Sequence, residues 1–579
     1  MQHKSIIENL IRVFVLSWIV ILSACGILPR YEGNAHINSQ VNDEAVPVPR
    51  ARFPSMQACV IALKDDPCFH PMFIGVAISG GGARAANFGL GVAAQLMNLG
   101  IYDRVTAISS VSGGSLAAAA ISMKPPENNE EFNSLADHFR TDFLSSWMIH
   151  SLYPVNLISS VATSRNATRT LADVFDEEIF HGATYGDLGK IGPGRPFLYI
   201  NGSLTNRVSS SQELTTRGLN SPNDNLQGFT FTERAFREMG SDLSRLRIAD
   251  AVAASGAYPG LFEPLALKNF NAGKTVYKLP GSEFLHVSDG GASDNLGVDA
   301  LVRAYSEAVM GSQSMSCLLI LVDAHVADQG DSRGSKADNR DGLMDYIVSP
   351  SLSRAFDLLL DRRRDDQLER LGIQIAEDHP HRFNPDVSIP LRNYKFLGNG
   401  YAATRGRSLR EVHEYLGDGG VRVENANCAV WHVALDRLLD LTEKGGRRRR
   451  EAFYYEHSVD QYRNESSRDK DLIRLDHFVN AIETNYKLKL NGPGGCSGKR
   501  LQNSLFEAAR VLVMDDTDSL GRLSAWLMEH HRVELAQNIT AALKEENGNS
   551  HNDAIYTPSY SIHPPDWRSP MASWVDCVE

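Results

Sequence analysis

The stretch Ala107–Ala120, AISSVSGGSLAAAA, decides how the rest of the chain is read. Ala107–Val111 is small and β-branched, Gly113-Gly114 interrupts it, and an alanine-rich run follows. A strand passing through glycines into a helix is one half of a βαβ unit. The same pattern stands just upstream. Phe73–Ser79 (FIGVAIS) is an apolar strand, and Gly80-Gly81-Gly82 breaks it. Ala85–Leu99 then places Leu90, Ala93, Ala94 and Met97 at helical spacing until Gly100 stops it. Arg104–Val111 returns as strand, and Gly113–Met123 as helix until Pro125 and Pro126. This alternation predicts a parallel sheet, with further strands at Phe197–Gly202, Glu283–Val287 and Cys317–Val322. The expected class is α/β: a three-layer core with a mainly parallel central sheet, followed by a mostly helical C-terminal extension.

Working outward, Gly330–Gly342 reads as a polar loop and Leu343–Leu371 as a helix. A mixed region follows, then helices near Leu472–Tyr486, Leu501–Met514 and Leu520–Leu543. Pro558, Pro564, Pro565 and Pro570 mark an irregular tail. Of the 579 residues, 42% are apolar and 22% charged, as in an ordinary folded protein. A net charge of −12 argues against a nucleic-acid partner, which calls for a basic domain or stripe.

The N-terminus differs from everything after it. MQHKSIIENLIRVFVLSWIVILSAC carries Lys4 and Arg12 ahead of the apolar run Val13–Leu22. That run is too short for a helix to cross a bilayer core of about 30 Å. It reads as the apolar region of a secretory signal peptide. Leu22-Ser23-Ala24-Cys25 resembles the lipobox of bacterial lipoproteins, which implies that Cys25 is lipidated and becomes the new N-terminus. Gly26 stands where an aspartate would hold many lipoproteins in the inner membrane. The resemblance therefore implies anchoring in the bacterial outer membrane, on its periplasmic face. With Cys25 lipidated, six of seven cysteines remain, and export lets them pair. Cys59 and Cys68 are near enough to staple a loop; the other pairings stay open. No cysteine or histidine spacing suggests zinc. The expected organisation is a signal peptide with lipobox over 1–25 and a tether over 26–72. A catalytic core spans 73–325, a mostly helical part packed on the core spans 326–515, and a helix with an irregular tail spans 516–579.

Ser112 sits where strand becomes helix, so it projects at the carboxyl edge of the sheet, where open α/β sheets place their sites. The turn is a variant of the G-x-S-x-G elbow, with Ser110 in place of the first glycine. Gly113 and Gly114 permit a strained backbone and close approach of a substrate. A serine hydroxyl needs a base. HVSDGGASDNLG, His286–Gly297, brings Asp289 to a strand end, where Gly290-Gly291 turns the chain. VDAH, Val322–His325, supplies His325, and the order Ser112, Asp289, His325 imitates a hydrolase triad. The loop Gly80-Gly81-Gly82-Ala83-Arg84 opens the first helix as an anion site. A P-loop needs GK[ST] after the glycines and finds none; a dinucleotide fingerprint needs glycine where Ala85 stands. An oxyanion hole is the one reading of the three that uses both glycine turns together.

GGGAR, SVSGG and DGG, in that order, resemble the patatin-like phospholipase family. ASGAYPGLFEP, Ala254–Pro264, is similar to the family's segment before its aspartate, and the resemblance covers about Phe73–Asp323. It implies a Ser112–Asp289 dyad that cleaves carboxylic esters through an acyl-enzyme. An oxyanion hole at Gly80, Gly81, Gly82 and Ala83 is implied, with Arg84, Gly113, Gly114, Gly290 and Gly291 in support. It implies no metal or cofactor. The expected function is a lipid acyl hydrolase of phospholipase A or lysophospholipase type, acting on membrane phospholipid or another acyl-ester lipid. The alternatives are a Ser-Asp-His esterase and an inactive lipoprotein of the same fold that binds lipid or an envelope partner. Asp294 reads as a loop stabiliser and His325 as a loop histidine. Arg84 calls for a carboxylate partner or a ligand anion. Arg362-Arg363-Arg364, flanked by Asp361, Asp365 and Asp366, reads as a solvated helix face.

Overall fold

The structure, a computed structural model, describes residues 72–153, 156, 166–190, 195–205, 228–270, 283–309, 315–325, 350–371, 373, 383–390, 425–437, 499–514 and 516–548. The expected signal peptide, Cys25, the tether with Cys59 and Cys68, the loop at Gly330–Gly342, the helix near Leu472–Tyr486 and the proline-bearing tail lie outside the described residues.

β1 (Met72–Ile78) is buried at every residue. Strands covered on both faces read as unbroken apolar runs, and FIGVAIS is one. α1 (Gly82–Asn98), β2 (Ala107–Val111) and α2 (Gly113–Met123) follow in the predicted order, with β2 starting three residues later than expected because Tyr102–Arg104 form a 3-10 turn. α3 (Phe143–Leu152) and α4 (Ala167–Phe175) lead to β3 (Phe197–Leu204) and the short β4 (Gly228–Thr230). α5 (Ile248–Ser255), β5 (Leu265–Lys268), β6 (Phe284–Asp289), α6 (Gly291–Asp294), α7 (Val298–Val309) and β7 (Ser316–Asp323) complete the part resembling the family. The sheet order is β5-β6-β3-β2-β1-β7-β9-β8, with β4 against β3; β8 (Phe383–Pro390) and β9 (Asn425–Ala434) come from beyond residue 325.

β3, β2, β1, β7 and β9 are parallel, while β4, β5, β6 and β8 run antiparallel to their partners. β1 has β2 on one side and β7 on the other, so the chain leaves it in opposite directions. A crevice opens beyond such a switch point. Successive side chains of a strand face opposite ways. Ile74, Val76 and Ile78 join Phe88, Leu116 and Val252 in one apolar layer. Phe73 and Ala77 join Leu301, Leu319 and Leu368 in the other.

The C-terminal part shares this core. β9 pairs in parallel with β7, and a disulfide joins Cys317 to Cys428 across the two strands. The boundary expected after residue 325 thus falls inside the sheet, and the mixed region contains strands the sequence reading did not place. The remaining described elements are helical: α8 (Pro350–Arg370), α9 (Lys499–Met514), α10 (Thr517–Glu529) and α11 (Val533–Gly548). α9 packs on α1 at Gly91, where a Cβ would lie 3.0 Å from both the Ala509 Cβ and Phe506 Cδ1. The single helix expected over Leu520–Leu543 is broken by His531, which takes a left-handed φ of 59°. The Met528 and Leu527 carbonyls accept from the His531 and Arg532 N–H groups and close the end of α10. No glycine marks this stop, so sequence pattern alone does not reveal it.

Candidate active site

Ser112 joins β2 to α2 with φ 50° and ψ −127°. A non-glycine residue pays about 1–3 kcal/mol for such a backbone, which persists only where its surroundings over-determine it. Here the two glycine turns lock together. A Cβ on Gly113 would lie 1.9 Å from the Gly82 carbonyl oxygen, and one on Gly114 2.4 Å from that of Ser79. Only glycine allows this contact. Ser110 is buried in β2 and donates to the Tyr199 carbonyl of β3 (3.4 Å), so the departure from the glycine pattern is accommodated by the neighbouring strand.

Register brings the aspartate to the serine. Val111 stands opposite Asn201 on β3, so Ser112 follows at the level of Gly202, and Gly202 stands opposite Asp289 on β6. The Ser112 hydroxyl donates to Asp289 Oδ2 at 2.9 Å, while Asp289 Oδ1 accepts the Gly291 N–H at 2.8 Å. Asp289 is 4% exposed. Burial pushes its carboxyl up to about 6, against the opposing pull of the Gly291 N–H and the Ser112 hydroxyl. Such a group is ionised at neutral pH and still basic enough to take a proton.

Beside the serine, Gly81 (φ 139°) and Gly82 (φ 57°) open α1. Ala85 makes the first main-chain bond of this turn, donating to the Gly81 carbonyl. The N–H groups of Gly81, Gly82 and Ala83 precede it and have no acceptor among the described residues. They form a set of donors at a helix N-terminus next to Ser112. Gly80 does not belong to this set. Its N–H donates to the Asn295 carbonyl at 2.9 Å, which corrects its expected place among the oxyanion donors. Gly80 is instead the pin that ties the glycine loop to the segment after Asp289.

Three residues that sequence reading did not single out complete the site. Ser255, at the end of α5, accepts the Ser112 N–H at 2.8 Å. Asn201 presents its carbonyl to Ser255, and the same oxygen would meet a Cβ on Gly290 at 2.4 Å. Asn295 holds Gly80. The segment Ala254–Pro264 was the available signal for Ser255; nothing in the pattern marks the other two.

His325 is placed elsewhere. Its Nδ1 lies 3.4 Å from Asp361 Oδ1, and no hydrogen bond joins it to Ser112 or Asp289 among the described residues. Burial and the Arg364 charge lower its pKa to about 4, so it is neutral at pH 7. Asp294 accepts the N–H groups of Gly297, Val298 and Asp299 and so caps α7. Arg84 is buried in the first turn of α1, and its charge adds to that of Arg364 in keeping His325 neutral. The arginine run is not a solvated face throughout. Arg364 is buried and bonds Asp323 (2.7 Å) and Asp436 (3.1 Å), while His432 Nε2 lies 3.0 Å from the same Asp323 oxygen. These charges pin α8 to the ends of β7 and β9.

Residues 76–302 match the family model Patatin, described as patatin-like phospholipase. This stretch is similar to patatin-like phospholipases. Its span begins in β1 and ends in α7, and so includes the glycine loop, the serine turn and the aspartate turn. No curated protein matches the chain. Among solved structures, the human GIVD cytosolic phospholipase A2 is similar at 11% identity and a TM-score of 0.38, over 82% of this chain and 60% of that one. The chain thus spans 60% of the length of that enzyme. VipD from Legionella pneumophila is similar at 14% identity and a TM-score of 0.21, over 82% of this chain and 90% of that one. Among the described residues, no group of His, Cys, Asp and Glu is arranged to hold a metal ion, and no helix is long and apolar enough to cross a membrane.

Proposed function

We propose that this chain is a lipid acyl hydrolase of phospholipase A or lysophospholipase type that works through Ser112 and Asp289. The observation that carries the reading is the 2.9 Å bond from the Ser112 hydroxyl to the buried Asp289, on a strained turn beside N–H donors that lack acceptors among the described residues. Ser112 Oγ attacks the ester carbonyl as its proton passes to Asp289 Oδ2. The oxyanion forms against the N–H groups of Gly81, Gly82 and Ala83. One such donor is typically worth about 3 kcal/mol of barrier. Asp289 returns the proton to the leaving alcohol, and an acyl-enzyme remains. Asp289 then takes a proton from water, the hydroxide attacks the acyl group, and as the fatty acid leaves Asp289 returns that proton to Ser112 Oγ. An alcohol or lysolipid in place of water makes the same step a transfer.

Two observations support a lipid over a small soluble ester. α8 exposes Leu358 (53%) and Leu359 (40%), and the next residue, Leu360, lies against Gly291 beside the base. α3 exposes Met148, Ile149 and Leu152, with Tyr153 just past its end, and the buried side of α3 sets Trp147 edge-on to Phe262, 5.2 Å between ring centres. A lipid anchor at Cys25 would hold this net-acidic protein at a membrane without a basic face. Cys25→Ala is expected to release the protein from the membrane fraction while hydrolysis of a soluble ester stays intact. Loss of both would remove the anchor from the account.

The direct test is fatty-acid release from phospholipid vesicles by the chain lacking residues 1–25, beside its Ser112→Ala variant. Release by the parent alone supports the reading; no release from phospholipid or simple esters by folded protein favours a lipid-binding role. His325→Ala separates dyad from triad. Under the dyad, kcat changes by less than about threefold, whereas a triad histidine costs several orders of magnitude.

A further inference from the structure

We propose that Ser255 is the positioning residue of the dyad, one residue that fixes the nucleophile with its side chain and the base with its main chain. The proposal rests on the hydrolase reading above. Ser255 ends α5, a helix with all eight residues buried, and is itself 0% exposed. Its Oγ accepts the Ser112 N–H at 2.8 Å. Its own proton goes to the Asn201 carbonyl at 2.5 Å. Ser115 Oγ, 3.1 Å away, is therefore the donor in the bond between the two hydroxyls. One proton given and two accepted satisfy the hydroxyl in full.

The main chain of the same residue reaches the other half of the site. The Ser255 carbonyl accepts the Gly290 N–H at 3.2 Å, and two residues on, the Ala257 carbonyl accepts the Asp289 N–H at 3.0 Å. The turns that carry nucleophile and base come from β2 and β6, which are not paired in the sheet; β3 lies between them. Ser255 bonds to both turns and to Asn201 on β3 as well.

α5 is fit to serve as a fixed post. Asp250, 2% exposed, is held by Arg247 at 3.0 Å and by Arg169 of α4, and Arg247 also reaches Asp173 of α4 at 2.8 Å. The post matters because of the backbone it supports. Ser112 has a positive φ, and its N–H points away from any helix or sheet ladder. Without Ser255 Oγ that part-buried N–H loses its partner, and the turn has one constraint fewer against relaxing out of line with Asp289. A group that acts in this way alters the rate of acylation more than the affinity for substrate.

The test compares the parent with Ser255→Ala, Ser255→Thr and Ser524→Ala on a soluble acyl ester, and follows covalent labelling of Ser112 by a fluorophosphonate. Ser524 is a buried serine on α10 that donates to the Ala536 carbonyl, remote in the fold from the dyad. We expect Ser255→Ala to lower kcat by about 30–100-fold with KM changed less than about threefold, and to slow labelling by the same factor. Ser255→Thr, which keeps the hydroxyl, should recover at least about a tenth of the parent rate. Ser524→Ala should lower the melting temperature similarly and leave kcat unchanged. The proposal is overturned if Ser255→Ala keeps kcat within about threefold of the parent, if its loss lies in KM alone, or if Ser524→Ala loses kcat equally. A Ser255→Thr variant that melts with the parent but is no more active than Ser255→Ala also overturns it. A parent active on the ester whose Ser112→Ala variant is inert upholds the hydrolase reading whatever Ser255 does. A parent inactive on every ester overturns that reading and this proposal with it.

Discussion

Ser112→Ala is expected to cut fatty-acid release by about 10⁴-fold or more while the protein stays folded. No nearby serine can stand in. Ser110 is buried and bonded to Tyr199, and Ser115 is buried and bonded to Ser255. Ser109 is buried and accepts from the Asn201 side-chain amide. The residual rate is then what the oxyanion donors and binding provide without a nucleophile. Ser112→Gly offers a second reading of the same position. It is as inactive as the alanine variant, and it relieves the φ of 50°. Its stability should rise by about 1 kcal/mol relative to Ser112→Ala, measured by denaturant unfolding. Inactivity paired with greater stability would mark strain held for function; equal stability would show that the turn stores none.

Asp289→Asn should lower kcat by about 10²–10⁴-fold and at the same time stabilise the fold at neutral pH. The carboxyl rises from 3.8 to about 6 on burial. Between those values the native state holds a proton that the unfolded chain has lost, so stability falls as pH increases. The penalty is absent below about pH 4 and complete above about pH 6. At about 1.4 kcal/mol per pH unit it reaches about 3 kcal/mol. Asparagine carries no charge to bury, so the variant gains up to that amount at pH 7 and nothing at pH 3.5. The parent's kcat/KM should rise with pH through a midpoint near 6, as Asp289 becomes able to accept a proton. A flat profile from pH 5 to 8, with no gain in stability for the asparagine variant, would place the base elsewhere.

Much of this site is legible in the chain because its chemistry sits at local junctions. SVSGG announces a strand that turns sharply into a helix, and the structure places Ser112 there. GGGAR announces a helix N-terminus with N–H groups to spare, and Gly81, Gly82 and Ala83 supply them. Gly80 was less legible, because the fate of its N–H is decided by Asn295, more than two hundred residues away. Arg364 misled for a similar reason. A run of arginines among aspartates looks solvated, yet one of them is buried against Asp323 and Asp436 once α8 docks on β7 and β9.

The order of motifs, the alternation of strand and helix and the switch from apolar to glycine at each strand end depend on neighbours within a few residues. These the amino-acid sequence determined alone, together with the α/β class and the positions of Ser112 and Asp289 at their strand ends. Strand direction and register depend on which segments meet in space. Nothing local to Phe284–Asp289 says that β6 enters antiparallel to β3, yet that direction and the pairing of Gly202 with Asp289 set the Asp289 carboxylate beside Ser112. Nothing local to Asn425–Ala434 says that it extends the sheet next to β7, or that Cys428 meets Cys317. Ser255 is the sharpest case: its hydroxyl and carbonyl acquire their roles when α5 packs between two turns that are far apart in sequence. Long-range hydrogen bonds leave no periodicity behind, so only the folded chain decides them.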